Sequence, residues 1–497
     1  MQKDGSIIIS NFQSGTADSA ILGASNIVGC DIIDELGVLK ISETADLLPG
    51  GVNTFASVSN GLTIARTEND NGELGYLKSN GHLFYESPTN TALVINLSVG
   101  RDMVVWDSNF TVVSYAQSGV GYIGVIFKAG VNNFLWHPAK VGGLTGSYNI
   151  KLMTSQDGNI YYTNGNTIGR ITNITEAAGV ITVTGSTNVL NLERGVYATT
   201  LVELGGDILI GTQKGSSYEV RGSRTFANIY KWDRVSSSFR LPMQVRENGI
   251  NAMIQKDNLI YFSAGVYGNI YVTNGTNYEK LKTIPFTRIK KFGATSQVYS
   301  NAMCVSQRGT LLIGVSTLGD STPNTLSYFG VYEMTLSGQI SLAYLPISGR
   351  TGQNAPLYIG VVYTTNSQGV SYSTQESTNY EVVTTIHRKI TNYIATYESQ
   401  LYIVGSRKSR KSYQDLEFTF SEPLQVGQGI KVSYRKDINA SWTLIGTWDY
   451  STIGGVISHY TKALIADAEL VQIQIKLTQT GGTAFPYNTK LVKLILT

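Results

Sequence analysis

The chain of 497 residues carries a formal charge of only +3, so it offers no strong field that would mark nucleic acid or an anionic membrane as its main partner. Charged residues make up 15%, against roughly 25% in an average globular protein, while 52 Gly and 30 Tyr favour strands and tight turns over helices. The length calls for two or more domains or one long repeat array.

The opening Met1-Gln2-Lys3-Asp4-Gly5-Ser6 leads into the apolar Ile7-Ile8-Ile9, which predicts a strand rather than the core of a signal peptide. No run approaches the ~18 apolar residues of a membrane helix. We expect no membrane segment, and synthesis and retention in a cytoplasm.

A repeat follows. A turn of Gly, Asp, Asn or Ser leads into a short apolar strand whose first residue is Leu62, Phe110, Ile160, Ile208, Leu259, Leu311, Leu357 or Leu401, at intervals of 44 to 52 residues. Segments such as Tyr161–Gly165, Tyr218–Gly222 and Asn269–Gly275 read as hairpin strands. A unit of this length with about four strands matches a β-propeller blade, whereas β-helix coils are shorter. Each anchor strand should be an inner, buried strand, as Ile208-Leu209-Ile210-Gly211 and Leu311-Leu312-Ile313-Gly314 suggest, with glycine allowing close packing. Eight anchors predict about seven blades over residues 51–410. Residues 1–50 form an N-terminal β segment that either closes the ring or docks a neighbour.

After the basic run Arg407-Lys408-Ser409-Arg410-Lys411, read as a solvated linker, the spacing is lost. Leu416–Phe420, Ile430–Tyr434, Trp442–Gly446 and Leu470–Leu477 alternate apolar and polar residues, which predicts half-exposed antiparallel strands in a β-sandwich over 411–497, with Trp442 and Trp448 as core anchors. The fold class is therefore all-β: a propeller followed by a C-terminal β-sandwich.

Chemistry-bearing motifs are sparse. Cys30 and Cys304 suit buried positions rather than a disulfide framework. The histidines His82, His137, His387 and His459 are too scattered for a metal centre. Ser155-Gln156-Asp157-Gly158 is close to a sialidase Asp-box but lacks its later glycine and aromatic residue. Glu68-Asn69-Asp70-Asn71-Gly72-Glu73 reads as a polar turn rather than a Ca²⁺ loop. Gly119-Val120-Gly121-Tyr122 has no following helix to cradle phosphate. We therefore expect no catalytic residues, no metal and no cofactor.

The opening Ile7–Gly15, the segments Asn26–Ile32 and Gly37–Ile41, the unit Gly206–Thr212, and the closing stretches Ser421–Leu424, Lys431–Arg435 and Ser441–Gly446 resemble tail hub or nozzle-type virion proteins of tailed bacteriophages. That resemblance implies a non-enzymatic structural protein of the virion tail, acting in assembly and viral genome ejection. It implies a homo-oligomer docked to portal, adaptor or tail proteins, with non-specific contact to DNA in a conduit. The alternative is a receptor-binding or glycan-degrading propeller that contacts the host surface.

Overall fold

The computed structural model describes residues 62–68, 74–87, 90–130, 133–146, 150–214, 226–240, 242–284, 295–318, 330–336, 338–344, 357–364, 370–376, 379–384, 393–404, 410–437, 439–479 and 490–497, with the stretches 2–3, 6–10, 24–28, 30–31, 39–41 and 46–47. The structure is all-β. Most strands fall into four-stranded antiparallel sheets in which each strand pairs with the next in sequence.

Sheet 1 holds Thr63–Glu68, Leu74–Lys78, His82–Ser87 and Asn90–Asn96. Sheet 2 holds Val99–Val105, Phe110–Gln117, Val120–Gly130 and Asn133–Thr145. Sheet 3 holds Leu152–Thr154, Ile160–Asn164, Thr167–Ala177 and Val180–Asn191. Sheet 4 holds Val196–Leu204, Asp207–Lys214, Ala227–Trp232 and Met243–Val245. Sheet 5 holds Ile250–Lys256, Leu259–Ala264, Asn269–Thr273 and Tyr278–Thr283. Sheet 6 holds Met303–Val305, Leu311–Leu318, Gly330–Met334 and Ile340–Tyr344. Sheet 7 holds Leu357–Thr364, Val370–Glu376 and Asn379–Thr384, and takes its fourth strand, Asp46–Leu47, from the N-terminal segment.

The first strands of these sheets neighbour one another in serial order, and that of sheet 7 lies beside that of sheet 1. Arg66 of sheet 1 sets its guanidinium 3.4 Å from the ring centre of Tyr363 in sheet 7, a cation–π contact between the first and last sheets.

Five anchors differ from expectation in one respect. Phe110, Ile160, Ile208 and Leu311 are buried and Leu259 is half-buried, but all five lie at or near the start of the second strand rather than on the first. The reason is local: the turn before the second strand is the tight one. In Ser155–Asn159 and Ser306–Thr310 the first residue's N–H donates to the fifth residue's carbonyl, and Gly158 and Gly309 take φ of 79° and 76°. Leu62 and Leu357 instead open or precede first strands. The turns before these two, Tyr218–Gly222, His387, Asn69–Glu73 and Arg407–Ser409 lie outside the described residues.

Both faces of the sheets are buried, which is why the second strands read as continuous apolar runs. One core lies between sheets 2 and 3 around Ile123, Ile150 and Tyr162, a second between 3 and 4 around Tyr161, Ile208 and Tyr230, and a third between 4 and 5 around Leu209, Ile250 and Phe262. Hydroxyls cross the first and third of these seams and the one between sheets 6 and 7. Ser114 Oγ donates to the Ile150 carbonyl at 2.6 Å, Thr199 Oγ1 donates to the Ile250 carbonyl at 2.6 Å, and Ser316 Oγ accepts from the Ile359 amide at 2.8 Å.

Apart from Thr295–Gln297, which pairs with Leu311–Leu318 of sheet 6, the remaining strands form a terminal unit of two sheets over a shared core that includes Ile7, Phe418, Leu494, Ile430 and Ile475. Ser6–Ser10 pairs with Lys490–Leu496, which also pairs with Lys411–Phe420, and the latter with Ser458–Ala468. In the second sheet Leu470–Gln479 pairs with Gln428–Arg435, which pairs with Thr443–Asp449. Tyr393–Ser399 and Tyr402–Ile403 also pair with Leu470–Gln479, so Leu401 sits in this unit, and the division expected at 410 falls before Tyr393. The strand Ala24–Val28 pairs with Tyr393–Ser399 and, through Val28 and Leu342, touches sheet 6.

Trp448 packs on this core, its ring 5.0 Å from that of Phe418, whereas Trp442 is outside the core and lies under the Arg435 guanidinium at 4.4 Å. Nor is the polar face of the second sheet open. Gln472 and Gln474 are buried and donate to the Ser399 carbonyl and Glu398 carboxylate, because cross-strand amide and carboxylate partners satisfy them without water.

A Cβ placed on Gly314 would lie 2.4 Å from Ile359 Cγ2 and 2.8 Å from Val362 Cγ2, both on sheet 7. Gly314→Ala should therefore cost about 1–3 kcal/mol by overpacking the seam between sheets 6 and 7. Urea denaturation checks this, and a variant as stable as the parent would contradict the close packing.

Candidate binding site among the first strands

Two polar clusters stand out among the described residues. The first joins the turns of sheets 3 and 4. Arg234 donates through Nη1 to Ser155 Oγ at 2.8 Å and approaches Glu203 at 3.2 Å and Asp157 at 3.4 Å. Glu203 also accepts from Ser155 Oγ and the Gln156 amide, both at 2.9 Å, and Asp157 accepts from Tyr161 OH at 2.8 Å. Although burial opposes it, these hydrogen bonds and the Arg234 charge hold the Asp157 carboxyl below its ordinary range. Every acid here already has a donor, so the Asp-box-like segment serves as an inter-sheet clasp.

The second cluster lies where the first strands meet. Asp102, on the first strand of sheet 2 and 2% exposed, accepts through Oδ2 from the Leu152 amide at 2.8 Å and from Lys151 Nζ at 3.1 Å. Its Oδ1 accepts from Asn301 Nδ2 at 2.9 Å. The same Nδ2 reaches the Ile64 carbonyl at 2.8 Å, while Asn301 Oδ1 accepts from Lys151 Nζ. Residues attached to sheets 1, 2, 3 and 6 thus share one hydrogen-bonded knot.

A cavity of about 180 Å³ adjoins it, lined by Ile64, Ser79, Val99, Gly100, Arg101, Lys151, Asn251, Val298, Tyr299 and Ser300, which come from five sheets or the segments leading into them. Arg101 donates through Nη2 to the Gly146 carbonyl at 2.8 Å. Asn251, on the first strand of sheet 5 and 4% exposed, donates through Nδ2 to the Gly265 carbonyl at 2.6 Å, but its Oδ1 accepts no hydrogen bond. Burial pushes the Tyr299 hydroxyl up to about 12, so it remains a donor across the physiological range. Lys78, next to Ser79 and 1% exposed, is pulled down by burial to about 8.

Sequence reasoning named none of these residues. The available signal was the charged pair Arg101-Asp102 inside an apolar strand. Of the residues it did single out, Cys304 packs beside the core of sheets 5 to 7, and burial pushes its thiol up to about 12. His82 and His137 lie on strands of sheets 1 and 2, and His459 lies in the terminal unit with its ring 5.2 Å from that of Phe418. Gly119 and Val120 form the turn and strand start between the second and third strands of sheet 2. Among the described residues no group of three or more His, Cys, Asp or Glu is placed to hold a metal ion. None of their helices is long and apolar enough to cross a membrane.

No family model and no curated protein matches this chain. Among solved structures it is similar to the computationally designed Ika8 protein, with 14% identity, a TM-score of 0.37, and coverage of 66% of this chain and 96% of that one. It is similar to a protein from Lactobacillus plantarum, with 11% identity, a TM-score of 0.41, and coverage of 81% and 98%. It is also similar to the extracellular domain of a hybrid two component system from B. thetaiotaomicron, with 11% identity, a TM-score of 0.42, and coverage of 81% of this chain and 45% of that one. Likenesses this distant carry no functional argument.

Two outcomes follow from the geometry. Asp102→Ala leaves Lys151 and Asn301 without their buried acceptor and should cost about 3–5 kcal/mol, measured by chemical denaturation. For Lys78 the folded value of about 8 lies below the unfolded value of 10.5. Below pH 8 both states are protonated and the folded state bears the cost of the buried charge. Between about pH 8 and 10.5 the unfolded chain binds the extra proton, so this group makes stability rise with pH. Lys78→Met should therefore lose this rise, so that the stability of the parent relative to the variant increases between about pH 8 and pH 10.5. A pH-independent difference would refute this.

Proposed function

We propose that the chain is a seven-bladed β-propeller with a β-sandwich built from both ends of the chain, and that it is a non-enzymatic structural component of a bacteriophage tail. The serial contact of first strands, the Arg66–Tyr363 contact and the completion of sheet 7 by Asp46–Leu47 support the closed ring. On this reading the protein is a hub, nozzle or tail-tip element that acts in assembly and genome delivery. It forms a homo-oligomer docked to portal, adaptor or other tail proteins.

The observation that carries the functional reading is the knot of Asp102, Lys151 and Asn301, which crosses from sheet 6 to sheets 1, 2 and 3. A propeller bridged at its centre does not pass a polymer, so any DNA path is enclosed between copies of the chain. The working surfaces are then external. The terminal unit supports this with exposed Leu444 on the edge strand Thr443–Asp449, Tyr460, 62% exposed, on the edge strand Ser458–Ala468, and exposed Tyr450, Val456 and Ile457 in the segment between them.

Cryo-microscopy of purified virions tests the assignment: density for this chain in a symmetric ring or cluster in the tail is expected. Its absence from the particle, or its presence only in infected-cell cytosol, would overturn the reading. Release of oligosaccharides from host capsule or lipopolysaccharide by the purified protein would overturn its non-enzymatic part.

A further inference from the structure

The knot of Asp102, Lys151 and Asn301 holds an amine, a carboxamide and a carboxylate in an order that ion pairing alone does not need. Lys151 leads into the first strand of sheet 3 and Asn301 into that of sheet 6, 150 residues apart in the chain. Lys151 Nζ donates to Asn301 Oδ1, which sets the amine beside Cγ of the same carboxamide. Asn301 Nδ2 faces two acceptors, Asp102 Oδ1 at 2.9 Å and the Ile64 carbonyl at 2.8 Å. A carboxamide turned end for end would set its oxygen against both acceptors and its nitrogen against the ammonium, so the orientation is fixed. Asp102 thus touches both nitrogens, Lys151 Nζ through Oδ2 at 3.1 Å and Asn301 Nδ2 through Oδ1. The Leu152 amide holds this carboxylate at 2.8 Å, and the side chains of Asp102 and Lys151 are 2% and 13% exposed.

We propose that Lys151 and Asn301 join in an intramolecular isopeptide bond, with Asp102 as the catalytic acid and base. Lys151 Nζ attacks Asn301 Cγ as a nucleophile, a C–N bond forms, and the Cγ–Nδ2 bond breaks. The Asp102 carboxylate takes protons from Nζ and hands them on to Nδ2. Two protons make this transfer, the Asn301 nitrogen leaves as ammonium, and Asp102 ends as it began. A lysine ammonium and a carboxamide are consumed while a secondary amide and a free ammonium are produced, so atoms and charge balance without oxidant, reductant or cofactor. Folding supplies what the two groups lack in open solution, namely contact with each other beside a buried carboxylate that reaches both. The product is a covalent staple between sheets 3 and 6, closing a loop of 150 residues and so restricting the unfolded chain. The reaction does not depend on where in a particle the chain resides.

The test is mass spectrometry of the purified full chain, intact and after tryptic digestion, a day after purification. The intact mass should fall short of that expected from the sequence by one ammonia. The digest should contain a branched peptide in which Lys151 is joined to Asn301 and trypsin has not cut after Lys151. Lys151→Arg keeps the charge but not the amine, and Asp102→Asn keeps the shape but not the proton relay. Each should show its full sequence mass and lose the branched peptide completely, with circular dichroism confirming that the variant retains the all-β fold. Should neither variant fold, the branched peptide of the parent carries the test alone. A parent at its full sequence mass, or an ammonia loss traced instead to an Asn-Gly step such as Asn274-Gly275, would overturn the proposal. So would a folded Asp102→Asn that cross-links as completely as the parent.

Discussion

A sheet buried on both faces cannot be the last in its series, and the rest of this fold depends on that constraint. Tyr161 and Tyr162 are adjacent on one strand, point to opposite sides and are both buried, one in the core shared with sheet 4 and the other in the core shared with sheet 2. Each sheet therefore needs a neighbour on either side. The first strand of sheet 7 lies beside that of sheet 1, where Arg66 meets Tyr363. Once the faces are dry, hydroxyls such as Ser114, Thr199 and Ser316 satisfy their polarity on backbone groups, and each reaches the backbone of the next sheet.

The parts of this architecture legible in the sequence were those encoded locally. Tight turns with Gly158 or Gly309 in the left-handed region announce the strand that follows, so the repeat was visible through its second strands. Two first strands, Leu152–Thr154 and Met303–Val305, were not, because they are three residues long and too short to show a period. The terminal unit was recognisable from Lys411–Phe420 and Leu470–Gln479, but its N-terminal members were not, since no local pattern reveals that Ile7 lies opposite Leu496. The site was the least legible part. Asp102, Lys151 and Asn301 belong to different sheets, and each read alone is an ordinary polar residue beside a strand.

The two polar clusters show how the same chemistry serves different ends. Around Arg234 the two carboxylates, the guanidinium and Ser155 satisfy one another, and the result is a fastening between neighbouring turns. Around Asp102 the groups come from the neighbouring sheets 2 and 3 and from sheet 6, which is next to neither in the series, and the hydrogen bonds tie the three together. Asn251 beside it has one atom to spare. Burial raises the stakes in both places, because a low local dielectric strengthens a complete network and penalises an incomplete one.

The pairing of Ser6–Ser10 with Lys490–Leu496 also has a consequence for how the chain is made. At ordinary elongation rates roughly 25–100 s separate the emergence of the two strands from a ribosome. Throughout that interval the sheets between them can form from contacts local in sequence, while Ile7 and Ile9 wait for partners not yet synthesised. The terminal unit is then the last element to form, and its strands are the stretch most in need of protection from premature association while synthesis continues.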